Sequence, residues 1–357
     1  MSKLTILVNL GTPDQPFEKE VRTYLREFLS DKYVIRLPRI FWLTLLNLVI
    51  LRTRPKKSAE LYRKVWTKWG SPLLFHTYAQ TGHLRNLAKS TKEDTHFDTA
   101  MRYGNPSIKK ILYRSIDNGY TDITILPMFP QYSTTTTLSI FELIKSIVRK
   151  DKSFFKNIRI SAVNDFHDDN LYIESCASKI STTQQRIGKP DKLLFSFHGI
   201  PQSYICEDEP YQSQCLVTAS LIAKKLNLHE SQYEVAFQSR FGKAEWIKPY
   251  LSSRLEELPK EGIQNIHVFC PGFSSDCLET IDEIGRESKE EFFEHGGKSF
   301  EFLEGSRAQV MHGTAYKTSG GLTKKQLKYN KQGKIVSKKA SALAKKNNRL
   351  VKAGYVT

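Results

Sequence analysis

Short β-prone runs alternate with segments of helical period over most of the chain, and few folds accept that alternation. Leu4–Leu10 (LTILVNL) reads as a buried strand, and residues 17–29 (FEKEVRTYLREFL) repeat their apolar positions at helical spacing. Further strands are predicted over 96–102, 121–127, 158–163, 192–198, 232–238 and 263–269, and helices over 107–117, 135–149, 169–184, 212–226, 244–257 and 276–293. Strand–helix–strand repetition implies an α/β fold, with parallel sheets covered by helices on both faces. Ligands in such sheets gather at the carboxyl ends of the strands, so the residues just after each strand are those that carry chemistry. Neither the glycine-rich dinucleotide fingerprint nor the phosphate-loop motif occurs there.

With 357 residues the chain has room for two domains and an extension. Five cysteines without a CxxC or CxxH spacing argue against a disulfide scaffold and a structural zinc site. Apolar residues begin at Leu4, so no signal or transit peptide is expected, and the reading is a cytoplasmic protein, at most peripheral to a membrane. The net charge of +17 is unevenly spread: residues 306–357 hold 13 Lys and Arg and no acid, while residues 1–305 hold 41 basic and 37 acidic residues. A nearly balanced body therefore carries an intensely basic tail.

Three strand ends stand out. The strand at 121–127 runs into Met128-Phe129-Pro130-Gln131-Tyr132-Ser133 and four threonines. The strand at 192–198 ends in Ser196-Phe197-His198-Gly199-Ile200-Pro201, and that at 263–269 in Cys270-Pro271-Gly272-Phe273-Ser274-Ser275-Asp276. The predicted helix that follows places Glu279, Glu283 and Glu287 at successive i, i+4 steps, with Asp276 one turn earlier. Like charges at that spacing cost roughly a few tenths of a kcal/mol each, so the stripe does not serve helix stability. It is either a solvated acidic face or a row of oxygen ligands. Coupled to a strand-end His198, the row suits a first-row divalent metal and is too poor in carboxylates for calcium.

Ile40–Leu51 (IFWLTLLNLVIL) is the most apolar stretch, about 12 residues against the ~20 that span a bilayer. Arg36 and Arg39 precede it, and Arg52 and Arg54 follow. It reads as a core helix, or as an apolar lip that touches a membrane or lines a pocket for a large flat ligand bearing carboxylates.

Taken together, these pieces resemble the ferrochelatases, the heme-synthesis enzymes that insert ferrous iron into a porphyrin. The match is carried by LVNLGTPD (7–14), YLREFLSD (24–31), VIRLPR (34–39), WGSPL (69–73), MRYGNPSI (101–108), LPMFPQYSTTTT (126–137), LLFSFHGIP (193–201), AFQSRFGKAEW (236–246) and FCPGFSSDCLETIDEI (269–284). It is collinear to about residue 304 and looks nearest to the bacterial protoporphyrin type.

The resemblance implies two Rossmann-like (chelatase-like) lobes, 1–160 and 161–305, with the porphyrin in the cleft between them, and a basic tail at 306–357. It puts the metal-binding and catalytic pair on His198 and Glu279, and outer metal sites on Glu283 and Glu287. It puts Leu10, Tyr62, Ser71, Arg102, Tyr103 and Tyr132 in or near the cleft, with Arg52 and Arg54 as propionate partners. Leu10 stands where Met or Tyr is often found and cannot coordinate a metal. Substrate Fe2+ is the only metal required; Cys277 is the last cysteine, so the [2Fe–2S] cluster of some relatives is not expected. The family's closing helix is replaced after Glu304 by Gly305-Ser306-Arg307 and the tail.

The implied reaction is Fe2+ insertion into protoporphyrin IX to give protoheme. Insertion into coproporphyrin III, insertion of another metal such as Co2+, and non-catalytic porphyrin or heme carriage remain open. The tail predicts disorder, with helical content only in 335–353. Its segment SGGLTKKQLKYNKQGKIVSKKAS resembles small basic nucleoproteins of large DNA viruses and some protists, which implies nucleic acid or another polyanion as partner.

Overall fold

The computed structural model describes residues 3–303, 327–329 and 335–338. Two four-stranded sheets organise the body. The first contains β1 (Lys3–Thr12), β2 (Thr95–Gly104), β3 (Asp122–Pro127) and β4 (Arg159–Ala162), in the order β2-β1-β3-β4. The second contains β5 (Lys192–His198), β6 (Tyr233–Gln238), β7 (Asn265–Phe269) and β8 (Ser299–Phe302), in the order β6-β5-β7-β8. All neighbouring pairs in both sheets are parallel. The predicted strands therefore form, with ends shifted by a residue or two.

Helices α1 (Glu18–Leu29), α2 (Arg39–Leu45), α3 (Leu51–Val65), α4 (Pro72–Thr91), α5 (Ile108–Asp117) and α6 (Ser139–Lys150) belong to the first half. Helices α7 (Asn170–Ile187), α8 (Tyr211–Lys225), α9 (Leu251–Lys260) and α10 (Lys289–Glu294) belong to the second. Alternation along each strand divides the core. On β5, Leu193, Phe195 and Phe197 pack with Ile180, Cys215 and Ile222 of α7 and α8, while Leu194 packs with Ile266, Val268, Leu255 and Phe292 on the opposite face. Burying each such side chain contributes roughly 1.5–3 kcal/mol. β1 is divided similarly, with Leu4, Ile6 and Val8 facing α5 and α6.

Each sheet reverses its winding beside its first strand, between β1 and β3 and between β5 and β7. Crevices open at such switch points, outside the carboxyl ends of the strands. The two crevices are joined to each other: Ser274 Oγ, after β7, donates to the Met128 carbonyl, after β3, at 2.6 Å. Gln80 of α4 donates to the Ser274 carbonyl at 2.5 Å.

The apolar segment 40–51 is neither plain core nor plain surface. Trp42, Leu46 and Leu51 are buried against Val21 and Leu25 of α1, while Ile40 is 81% and Phe41 78% exposed, with Leu45, Leu48 and Val49 also outside. Residues 46–50 between α2 and α3 form a π-helical turn. Pro55, inside α3, has no N–H for the Leu51 carbonyl, and Arg22 Nε of α1 supplies that donor at 2.9 Å. No helix among the described residues is long and apolar enough to cross a membrane.

Four predicted helices need correction. The helix predicted over 244–257 begins only at Leu251, because Trp246 bridges to Pro201 and Pro249 offers no N–H. The helices predicted from 135 and 276 begin as π-helices, Thr134–Leu138 and Glu279–Ser288. In the tail, β9 (Leu327–Tyr329) pairs antiparallel with β10 (Ile335–Ser337), so the start of the predicted helix is a strand, as its β-branched Ile and Val favour. The remaining tail expectations lie outside the described residues.

Candidate active site

His198 is the last residue of β5, and its half-buried ring sits at the second switch point. Its Nδ1 lies 2.6 Å from the Gly199 carbonyl oxygen. A carbonyl only accepts, so Nδ1 carries the hydrogen and the neutral ring keeps its lone pair on Nε2. Position 199 must be glycine: a Cβ there would stand 2.9 Å from the Gln238 carbonyl oxygen and 3.2 Å from the Trp246 ring. The His198 carbonyl in turn accepts the Tyr211 hydroxyl at 2.9 Å.

Glu283 lies on the π-helix after β7 and is held from the end of β6. The Ser239 N–H donates to it at 2.6 Å, the Ser239 hydroxyl at 2.5 Å, and Gln238 Nε2 at 3.3 Å. Ser239 adopts φ +66°, a left-handed conformation that a serine rarely takes and that active sites often store. Burial pushes the Glu283 carboxyl above its ordinary range; the Ser239 hydrogen bonds and nearby His198 oppose this, and Glu279 adds to it. His198, Glu279 and Glu283 therefore share one electrostatic environment.

Glu279 opens the π-helix and also faces the first half of the chain. Burial, then the charge of Glu279, pushes the Tyr62 hydroxyl well above its usual range. Tyr24 is raised by burial, by Tyr62 and by Glu279. The two tyrosine rings meet edge-on with centroids 6.3 Å apart. In a π-helix, with its i→i+5 bonding, residues four apart fall just short of one turn, so Glu279 and Glu283 still share a face.

The rest of the predicted stripe behaves differently. Glu287 is exposed and ion-paired to Arg286 at 2.7 Å; Arg286 also binds Asp282 at 2.7 and 3.1 Å and Glu290 at 3.0 Å. Asp276 precedes the helix and accepts the Thr280 hydroxyl at 3.0 Å, so it lies outside the helical stripe.

Among the cleft candidates, Leu10 and Tyr62 are half-buried beside Trp42 and Leu46. Tyr132 is half-buried, with its backbone N–H donated to Gln214 Oε1 at 2.6 Å. Ser71 is buried at the start of α4. Arg52 and Arg54 are exposed on α3, and the Arg54 guanidinium lies 5.6 Å from the Phe241 ring centre, which reaches it from the other half of the chain.

Arg102 and Tyr103, the remaining cleft candidates, both bind Asp31. Asp31 Oδ2 accepts Arg102 Nη2 at 2.5 Å, the Tyr103 hydroxyl at 2.7 Å and the Ser139 hydroxyl at 2.6 Å. Tyr103 is fully buried, whereas Arg102 is half-buried and lines a cavity with Asp31, Arg39 and Ser139; both tie β2 to Asp31 and to the start of α6. The sequence reading also passed over Ser239 and Tyr24, although the motif AFQSRFGKAEW puts Ser239 directly after a strand, the position that deserved inspection.

Asp165, His167 and Asp168 form a separate group after β4 whose ligand atoms lie within 4.8 Å of one another, with His167 Nδ1 2.5 Å from Asp165.

Comparison with known proteins bears on this geometry. A ferrochelatase of Idiomarina loihiensis is 43% identical over 312 residues, covering 87% of this chain and 85% of that one. One from Methylococcus capsulatus is 43% identical over 86% of this chain and 92% of its own, and one from Marinobacter nauticus 44% over 84% and 80%. Among solved structures, SirB from Bacillus subtilis with Fe3+ aligns over 85% of this chain and 89% of its own, with a TM-score of 0.47 and 12% identity. The sequence model of the DVNP family matches residues 304–357. The model named Ferrochelatase matches residues 5–312, and with relatives this similar along most of their length the chain belongs to the ferrochelatase family.

Proposed function

We propose that this protein inserts Fe2+ into protoporphyrin IX to give protoheme, a lyase reaction of the metal-chelatase kind. The observation that carries the reading is the His198 ring, whose Nε2 lone pair is left free by the Nδ1 bond to Gly199, set in the same field as two carboxylates on one helical face. Insertion must remove two pyrrole protons as the metal enters. His198 Nε2 is the base for a proton on one side, and Glu279 and Glu283 deliver iron or take up a proton on the other. A flat macrocycle shields its nitrogens, so binding it bent helps; strain on the scale of roughly 1–5 kcal/mol comes from contacts remote from the metal.

In this reading residues 1–160 and 161–305 are the two lobes and the porphyrin lies between the switch points, against Leu10, Tyr62, Ser71 and Tyr132. Arg52 and Arg54 meet its propionates, and Tyr103 and Arg102 support the wall from behind. Glu283 is the inner step of the iron path, and Glu287 is a weak outer step at most, since Arg286 already neutralises it. No iron–sulfur cluster is required. The exposed face of 40–51 touches a membrane surface from the cytoplasmic side, and the tail at 306–357 binds nucleic acid through its 13 cations.

The test is anaerobic Fe2+ insertion by the purified chain, assayed side by side on protoporphyrin IX and coproporphyrin III. Protoheme formation as the faster reaction is expected. Faster turnover of coproporphyrin III moves the substrate assignment, and heme binding without insertion on either porphyrin replaces the enzyme by a carrier.

A further inference from the structure

The segment that follows His198 is anchored to the first half of the chain by a carboxylate that no part of the mechanism above uses. Glu209 has a fully buried side chain. Its Oε2 accepts the Thr134 N–H at 2.9 Å, the Ser133 hydroxyl at 3.3 Å and the Thr134 hydroxyl, and the Arg36 guanidinium stands 3.7 Å away. The start of the 134–150 helix thus meets a negative charge from the other half of the chain, where the helix dipole favours one. The other oxygen, Oε1, is buried and has no partner. A buried, half-satisfied carboxylate is costly wherever it occurs, so it persists where position matters more than stability.

Its neighbours show which position that is. Arg36 lies over the Tyr204 ring at 4.2 Å and donates its backbone N–H to the Tyr204 hydroxyl at 3.1 Å; that hydroxyl donates to the Val34 carbonyl at 3.0 Å. Two residues after Glu209, beyond a rigid proline, Tyr211 gives its hydroxyl to the His198 carbonyl. On the other side, Ser133 and Thr134 directly follow Tyr132. Glu209 therefore links the residues after Tyr132 to the short segment that leads through Tyr211 to His198.

We propose that Glu209 is a positioning residue: by binding the Thr134 helix start on one side and leading into Tyr211 on the other, it sets the distance of His198 from the Tyr132 wall, and so the rate of metal insertion. The proposal rests on the iron-insertion reading. A misplacement near 1 Å costs about 10²-fold in a reaction that depends on approach geometry.

Glu209→Ala and Tyr211→Phe are made singly and together in the full chain. Tyr211→Phe removes one oxygen only and serves alone where Glu209→Ala does not fold. Two readouts are taken: steady-state Fe2+ insertion, and the 13Cε1 histidine NMR signal of His198, assigned through His198→Asn. Each substitution is expected to lower kcat at least tenfold, keep the porphyrin KM within threefold, and shift or split the His198 signal alone among the histidines. The double variant is expected to lie within threefold of the worse single one, as for two links of one chain. A kcat within twofold of the unsubstituted chain overturns the proposal, whether or not the melting temperature falls. If the unsubstituted chain inserts no iron, the functional reading fails by itself. The His198 signal then decides: moved in the variants, it supports the positioning role, and unmoved, it overturns it.

Discussion

Ser239 gives Glu283 both its backbone N–H and its hydroxyl, at 2.6 and 2.5 Å, from a left-handed turn at the end of β6. Two donors from one residue hold a half-buried carboxylate whose desolvation favours the neutral form. The inner carboxylate of the helix is thereby kept in one orientation beside His198, whereas Glu287, one step outward, is shared with an arginine.

That contrast separates the two glutamates experimentally. Glu283→Gln is expected to raise the KM for Fe2+ at least tenfold and leave porphyrin affinity unchanged. Glu287→Gln is expected to change it less than threefold, since exposed ion pairs are worth about 0–1 kcal/mol. Steady-state kinetics with iron varied at saturating porphyrin is the measurement; equal effects of the two would show that the helix works as an even relay.

His198→Ala is expected to abolish insertion while porphyrin still binds, seen as a retained Soret shift on titration. Glu279→Gln, isosteric and at a half-buried position, should lose turnover with the fold intact. Near-normal turnover in the purified His198 variant would remove His198 from the chemistry.

The apolar segment divides into two experiments. Phe41 is 78% exposed, so Phe41→Ser should leave the melting temperature within a few degrees and weaken both porphyrin uptake and binding to lipid vesicles. Trp42 is buried and its indole N–H reaches the Leu29 carbonyl at 2.7 Å, so Trp42→Ser should cost about 3–5 kcal/mol of stability. Chemical denaturation alongside a vesicle-sedimentation assay tells these apart, and a stable Trp42→Ser chain would contradict the packing described.

His267 carries a pH dependence that has nothing to do with catalysis. Burial in β7 pushes its pKa down to about 4, and its Nδ1 has no hydrogen-bond partner. The folded state holds the ring neutral while the unfolded chain protonates it below about 6.5, so stability is full above that pH and declines as the pH falls toward 4. The loss amounts to about 3 kcal/mol. His267→Leu should flatten the decline between pH 6.5 and 4, read from urea midpoints; an unchanged slope would place the acid sensitivity elsewhere.

For the tail, cutting after Glu304 should abolish DNA binding and leave insertion chemistry in place. With six or more phosphates neutralised, affinity of the full chain should drop by roughly 10³–10⁵ between about 50 and 200 mM salt. A salt titration on both chains is the check, and equal binding by the shortened chain would move the contact to the body.

Much of the fold was legible because strand-forming runs such as LTILVNL and LLFSFH are short, apolar and bounded by turns, and because chemistry at strand ends follows from topology. The π-helix was not: i→i+4 and i→i+5 bonding differ by one residue per turn, and glutamates four apart look alike in both. The partner of Arg102 and Tyr103 was not legible for another reason. A motif fixes where a residue sits along the strand but not which neighbour claims its side chain, and Asp31, in a different motif, claimed both. Helices α3 and α4 escaped because α4 scatters its apolar residues around the barrel of the helix, and α3 carries a proline that ordinarily argues against one.

The bond from Ser274 to the Met128 carbonyl ties the segment after β7 to the segment after β3, joining the two halves at the carboxyl ends of inner strands. Any opening of the halves at that point has to break this bond first. Gln80 of α4 adds a second tie to the same loop, so the segments leaving β3 and β7 are held together by side chains drawn from both halves of the chain.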